Sequence, residues 1–172
     1  VGLEIEKGNF EPNKTVNHTH EGSIGNLCND KIELLKQNII DQFQLNGMPI
    51  NCTRYGSGHI NETYLLVTNR PHLYILQKVN TKVFPNAVGL MNNIIAVTEH
   101  IRKAENDPRK VLSLVPTKDG QKYVLLSGNE LWRIYEFVTD SICLDHTENL
   151  EDFTASGRAF GTFQVQLASF PS

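Results

Sequence analysis

The sequence predicts an α+β fold: a five-stranded antiparallel sheet with one helix inserted after the third strand, and a further helix at each end. Three observations carry this. Short runs alternating apolar and polar residues, Glu62 to Thr68 and Leu73 to Asn80, are separated by the turn residues Asn69, Arg70 and Pro71, as in a hairpin. Longer segments repeat apolar residues at helical spacing, such as Val88, Met91, Ile94, Ile95, Thr98 and Ile101. Glycine, proline and asparagine punctuate the boundaries between the two kinds.

With 172 residues, 40% hydrophobic and 20% charged, the chain can bury one sizeable core, or one and part of another. A net charge of −3, with 16 basic residues in no continuous run, argues against nucleic acid and membrane partners. Cys28, Cys52 and Cys143 are odd in number and widely spaced, which predicts free thiols and a reducing cytoplasm. Asn13, Asn17, Asn51 and Asn61 stand in glycosylation sequons but are read as chance in an Asn-rich chain. No apolar run is long enough to span a bilayer.

Residues 1–29 have little periodicity and read as a tail or tag remnant. His18 and His20 lack a third metal ligand nearby. From Asp30, a plausible N-cap, Ile32, Leu35, Ile39, Ile40 and Phe43 form a helical stripe that Asn46-Gly47 ends. A first strand runs from Ile50 to Tyr55 and enters the loop Gly56-Ser57-Gly58-His59-Ile60-Asn61, from which the Glu62 strand leaves. Because a strand follows these glycines, they are neither a dinucleotide-binding turn nor a Walker loop. They suit a hairpin tip able to approach a ligand.

After the lysine-bearing strand, Asn86 to Lys103 is helical, and Asn106-Asp107-Pro108 stops it. Three short strand-like runs follow at hairpin spacing: Lys110 to Val115, Gln121 to Leu126 and Glu130 to Val138. Thr139 to Asn149 is a polar linker, and Leu150 to Ala168 is helical, with Phe153, Phe160, Phe163 and Leu167 apolar and Gly157 and Gly161 one turn apart. That helix has no partner of its own in the chain, so residues 139–172 read as a linker and the first helix of a truncated domain.

The runs Y-G-S-G-H-I-N-E-T-Y-L-L-V, Y-I-L-Q-K-V-N-T-K-V-F, L-M-N-N-I-I-A-V-T-E-H, P-T-K-D-G, L-W-R-I-Y-E-F-V and G-R-A-F-G-T-F-Q resemble the N-terminal part of the N-acetylhexosamine 1-kinases, within the aminoglycoside and choline kinase-like phosphotransferases. The resemblance implies a kinase small lobe over residues 30–138, binding of ATP with magnesium, and phosphorylation of an N-acetylhexosamine at its anomeric hydroxyl. It places Gly56, Ser57, Gly58, His59 and Asn61 above the nucleotide phosphates, with His59 either touching a phosphate or the sugar, or standing as an exposed turn residue. Lys78 would meet the phosphates, with Gln77 as the competing register and Glu99 as a candidate carboxylate partner. Glu136, Phe137 and Val138 would bond the adenine edge through their backbone. A loop supplying a catalytic Asp and magnesium ligands is missing, since Asp145-His146 and Glu151-Asp152 lack its order. The fragment alone is therefore expected to be inactive, without catalytic or metal-binding residues of its own and with the missing large lobe as its partner. The alternatives are a non-catalytic module of the same fold and a related choline- or aminoglycoside-type phosphotransferase.

Overall fold

The computed structural model describes residues 33–141, 146–147 and 149–171. Five strands, β1 (Pro49–Arg54), β2 (Glu62–Thr68), β3 (Leu73–Val79), β4 (Val124–Leu126) and β5 (Glu130–Glu136), form one sheet in the order β1-β2-β3-β5-β4. Every neighbouring pair is antiparallel. Among the described residues three helices accompany it: α1 (33–40), α2 (Ala87–Arg102) and α3 (Leu150–Leu167).

Successive strand residues face opposite sides, so each strand feeds two cores. Tyr64 and Leu66 of β2, Tyr74 and Leu76 of β3, and Trp132 and Ile134 of β5 meet Ile39, Ile40 and Phe43 from α1 and its end. On the other face, Val79, Leu131 and Tyr135 meet Ala87 and Met91 of α2. Residues 131–135 are all buried because helices cover both sides of β5. At the edge, β1 leaves Ile50 exposed.

The expected stripe of α1 is corrected at one position. Leu35 is exposed, whereas Lys36 is buried. The lysine stem lies on the apolar face with its ammonium 4.2 Å from the Tyr64 ring centre and 2.8 Å from Glu33 Oε1, so a long amphipathic side chain does what a leucine was expected to do. Asp30 and Ile32, the expected start of this helix, lie outside the described residues, as do residues 1–29, Cys28 and Cys143.

The strand expected over Lys110 to Val115 does not form. Pro108–Lys110 is a 3-10 turn whose first residue lacks an N–H, and the Asp107 side chain accepts from Arg109 N. The segment then touches the sheet through Val115 N to Ile134 O (2.9 Å) and Glu136 N to Ser113 O (2.9 Å). Pro116 follows, with its preceding residue Val115 already committed to β5. Without this run the sheet has, among the described residues, the expected five strands, with α2 after the third. The next run shortens to β4, and β5 stops two residues before Val138.

Asn86 caps α2 by accepting from Gly89 N at 2.9 Å. Asn149 caps α3, accepting from Asp152 N and donating to Asp152 Oδ2, both at 2.8 Å. None of the described residues of α3 is buried, and Leu150, Phe153, Phe160 and Val165 are exposed. The end of this helix meets α2 through His100, whose Nε2 lies 3.1 Å from Gln166 O and whose ring stands edge-on to Phe170 at 5.2 Å.

Candidate functional site

The sheet brings the glycine loop to the end of β3. Pairing of Arg54 with Tyr64 and of Glu62 with Lys78 aligns the ends of β1, β2 and β3, and no helix begins at Gly58 or His59. Tyr55 N donates to Thr63 O at 2.9 Å and closes the hairpin. A Cβ at Gly56 or Gly58 would meet nothing within 4 Å, so the tip stands clear of the sheet; Gly56 has φ +76° and uses the freedom only glycine has.

Below that tip is a hollow of about 360 Å³, lined by Arg54, His59, Asn61, Glu62, Lys78 and Lys82 among others. Its polar floor is built by short bonds. Asn61 Oδ1 accepts from Asn80 N at 3.0 Å and ties the loop to β3. Asn80 Oδ1 accepts from Lys82 N at 3.1 Å and from Val83 N at 3.3 Å, which turns the chain and brings Lys82 back to the rim. Asn61 therefore works here as a strap, and its carbonyl is already engaged.

Lys78 lies on the α1 side of the sheet. Its Nζ is 3.1 Å from Glu130 Oε1 and 5.5 Å from the Trp132 ring centre. Trp132 Nε1 donates to the same Glu130 oxygen at 2.7 Å. The carboxylate partner is thus Glu130 from β5, whereas Glu99 is exposed late in α2. Gln77 lies on the α2 side and accepts from buried Arg133, through Nε at 3.1 Å and Nη2 at 2.9 Å. Burial pushes the Arg133 guanidinium below its ordinary value, against the Tyr135 phenol, which raises it.

Tyr64 is buried beside the hollow and holds its Glu62. Its hydroxyl donates to Glu62 Oε2 at 2.8 Å. Burial, then that carboxylate, raises its pKa, with Lys36 and Arg54 opposing. Burial, the largest single influence, lowers Lys36, but the bond to Glu33 together with the charges of Tyr64, Glu33 and Cys52 outweighs it, and the ammonium ends above its ordinary value.

Glu136, Phe137 and Val138 do not reach this hollow. They line a separate one of about 230 Å³ with Pro108, Arg109, Val111 and Ser113. Two of their N–H groups are already used: Glu136 N on Ser113 O, and Phe137 N on Leu73 O at 3.1 Å. Val138 O accepts from Ser141 Oγ at 2.6 Å, and the Glu136 carboxylate lies 2.6 Å from His72 Nε2. Tyr55 connects the loop to this end, its ring edge-on to Phe137 at 6.0 Å.

Of the expected binding residues, His59, Asn61 and Lys78 come together, while Gly56, Ser57 and Gly58 form the tip above them. Arg54, Asn80 and Lys82 were missed. Arg54 ends β1 just before the glycines, whereas Asn80 and Lys82 follow β3, and only the folded sheet brings them together. Among the described residues, no three of His, Cys, Asp and Glu converge as metal ligands, and no helix is long and apolar enough to cross a membrane.

No protein-family model matches the chain. Curated relatives do match over a short stretch. An argininosuccinate lyase of Bacteroides thetaiotaomicron is 60% identical over 48 residues, which is 28% of this chain and 11% of that protein. An argininosuccinate lyase of Bacteroides fragilis matches to the same extent, and that of Phocaeicola vulgatus is 58% identical over 48 residues. The chain thus spans about a tenth of the length of the curated relatives it matches.

These matches correct the expectation of an N-acetylhexosamine kinase. The relatives are named as lyases, not as phosphotransferases. The choline- and aminoglycoside-type alternative has no support from these relatives either. The sheet runs from Pro49 to Glu136, too long for a 48-residue match to contain. The similarity therefore reaches at most part of the folded unit.

Proposed function

We propose that the hollow at the β1–β2 hairpin binds a small, multiply charged anion, and that the lyase-like stretch works as a segment of a lyase of that kind. The observation that carries the first part is the charge around the hollow. Arg54, Lys78 and Lys82, with the His59 imidazole, face one carboxylate, Glu62, whose Oε2 already accepts from Tyr64. Lys78 is held by Glu130, but Arg54 and Lys82 have no carboxylate within ion-pair distance among the described residues. Cations gathered in a concave site raise the local concentration of anions, and an arginine fork suits carboxylate and phosphate alike.

The matched relatives are named for argininosuccinate, and a succinate group is a carboxylate ligand of the required size. Titration calorimetry with argininosuccinate, succinate and inorganic phosphate separates the chemical classes. Binding of at least one, weakened about tenfold by Arg54→Gln or Lys82→Gln and by added salt, is expected. Equal affinity in both variants contradicts the proposal.

The second part rests on identity of 56–60% over 48 residues. A segment that is 11% of a lyase does not make a whole active site, so its action depends on the remainder of such a protein. Replacing the matched residues of the Bacteroides thetaiotaomicron lyase by those of this chain should leave argininosuccinate consumption largely intact. A dead but folded chimera opposes it.

At the level of fold alone, three strands, a helix and two strands support a likeness to a kinase small lobe, and no phosphoryl transfer is attached to that likeness. The division near residue 138 belongs to the same reading. A cytoplasmic setting is supported by Cys52, a free thiol beside the α1 core.

A further inference from the structure

We propose that the groove between α2 and α3 binds an amphiphilic carboxylate, an alkyl chain ending in an acid. The groove encloses about 670 Å³, within the range of small-molecule sites. Its walls are Val97 and Ile101 of α2, Leu112 of the following segment, and Ala155, Ala159 and Phe163 of α3. The α3 residues recur at i, i+4 and i+8, one stripe of the helix. Two alanines in that stripe leave open the space that larger side chains would fill.

The groove is apolar along its length but carries cations. Two of these are occupied: Arg109 Nε lies 3.6 Å from Asp107 Oδ1, and Lys110 Nζ lies 3.6 Å from Glu105 Oε2. The third, Arg158, lines the groove from α3, and no described carboxylate lies within ion-pair distance of it. It also lines an adjoining hollow of about 330 Å³, with Leu150, Glu151, Thr154 and Ala155. An apolar trough with one unneutralised fork fits a ligand that is apolar over its length and anionic at one end.

Length agrees with this. The lining positions of α3 run from Ala155 to Gln166, which at the helical rise is about 16 Å, the span of a medium-length alkyl chain. A second copy of this chain is the competing occupant, since Phe153, Phe160 and Val165 are exposed. Those three are absent from the groove lining, so a dimer through them would leave the groove open.

The test uses residues 1–172 with dodecanoate below its micelle concentration, dodecanol and octanoate, read by calorimetry. Dodecanoate is expected to bind one per chain, octanoate about tenfold or more weakly because it buries fewer methylenes, and dodecanol with no dependence on residue 158. Arg158→Gln should weaken dodecanoate about tenfold, and Ala159→Trp should abolish binding of both long-chain probes, with circular dichroism showing that each variant folds. Should a variant unfold, competition of dodecanoate by decanoate and not by decyltrimethylammonium on the unaltered chain gives the same answer. Equal binding by Arg158→Gln and the parent, unchanged binding by Ala159→Trp, or cationic and anionic amphiphiles binding alike overturns the proposal. Sedimentation showing a dimer that dodecanoate neither joins nor disrupts, with no calorimetric signal, also overturns it.

Discussion

Replacing Gln77 by Leu should destabilise the fold more than replacing the arginine it serves. Arg133 is buried at 7% exposure, and its guanidinium donates twice to the Gln77 carbonyl oxygen, at 3.1 and 2.9 Å. Its remaining contacts are weak: Met91 Sδ at 3.5 Å and the Tyr135 ring centre at 5.0 Å. No described carboxylate pairs with it. Gln77→Leu keeps the volume but removes the acceptor, leaving a desolvated cation without a partner. Hydrogen bonds to charged groups contribute about 1.5–3 kcal/mol, and two donors share this oxygen, so the loss should be about 3 kcal/mol. Arg133→Met removes the charge with its need, and an apolar replacement of similar shape should cost under about 1.5 kcal/mol. The double variant should resemble Arg133→Met, with a coupling of about 3 kcal/mol. Urea unfolding measures all three; at roughly 2 kcal/mol per molar Gln77→Leu lowers the midpoint by about 1.5 M. If Arg133→Met proves the costlier change, the bond network and not the unpaired charge governs this site.

Three further outcomes follow from single contacts. Ile40→Ala should cost about 2–5 kcal/mol in thermal or urea unfolding, because Ile40 is 2% exposed and joins α1 to the sheet. Gly47→Ala should cost more than about 1 kcal/mol, since Gly47 has φ +98° and an added Cβ would lie 2.8 Å from Asn69 Oδ1 and 3.1 Å from the Arg70 backbone N; a neutral result would mean that the turn relaxes. Cys52 should react slowly with iodoacetamide at neutral pH, because burial raises its thiol, with Lys36 opposing. A raised folded value means the folded state holds its proton more tightly. The stability this adds is complete below the unfolded thiol range and is lost as pH climbs through the folded one, so Cys52→Ala should flatten the first part of the alkaline decline. Burial raises Tyr64, Tyr74 and Tyr135 in the same direction, so a second decline at higher pH should remain in that variant.

How legible the molecule was in its sequence depended on whether a residue's role was set locally. Alternation in Thr63 to Thr68 and Leu73 to Val79 gave the hairpin, and Asn86, Asn149 and Gly47 marked boundaries by their own chemistry. The Lys110 to Val115 run has strand composition, yet Pro108 and Pro116 bracket it, and what remains of its pairing is decided by β5. The burial of Lys36 lies outside the apolar stripe read from the sequence, and the Tyr64 ring opposite explains it. The sequence singled out Lys78 but not its partner: Glu130 lies fifty-two positions away, brought near by the β3–β5 register that pairs Lys78 with Trp132. Arg54 and Lys82 escaped notice for the same reason, as a hollow is a property of folded neighbours. The resemblance to sugar kinases pointed to a different activity from the lyases that match, and a 48-residue match leaves the sheet's own chemistry to be read from its side chains.

The most direct test of that chemistry is a residue-resolved titration of the 172-residue chain by NMR, with phosphate, succinate and argininosuccinate added in turn. Saturable shifts at Arg54, His59 and Lys82, with His100 and the Glu136 to Val138 segment unmoved, are the predicted result for at least one of the three. Shifts absent from the hairpin with all three anions, or centred on the Glu136 to Val138 hollow instead, would contradict an anion site beneath the glycine loop.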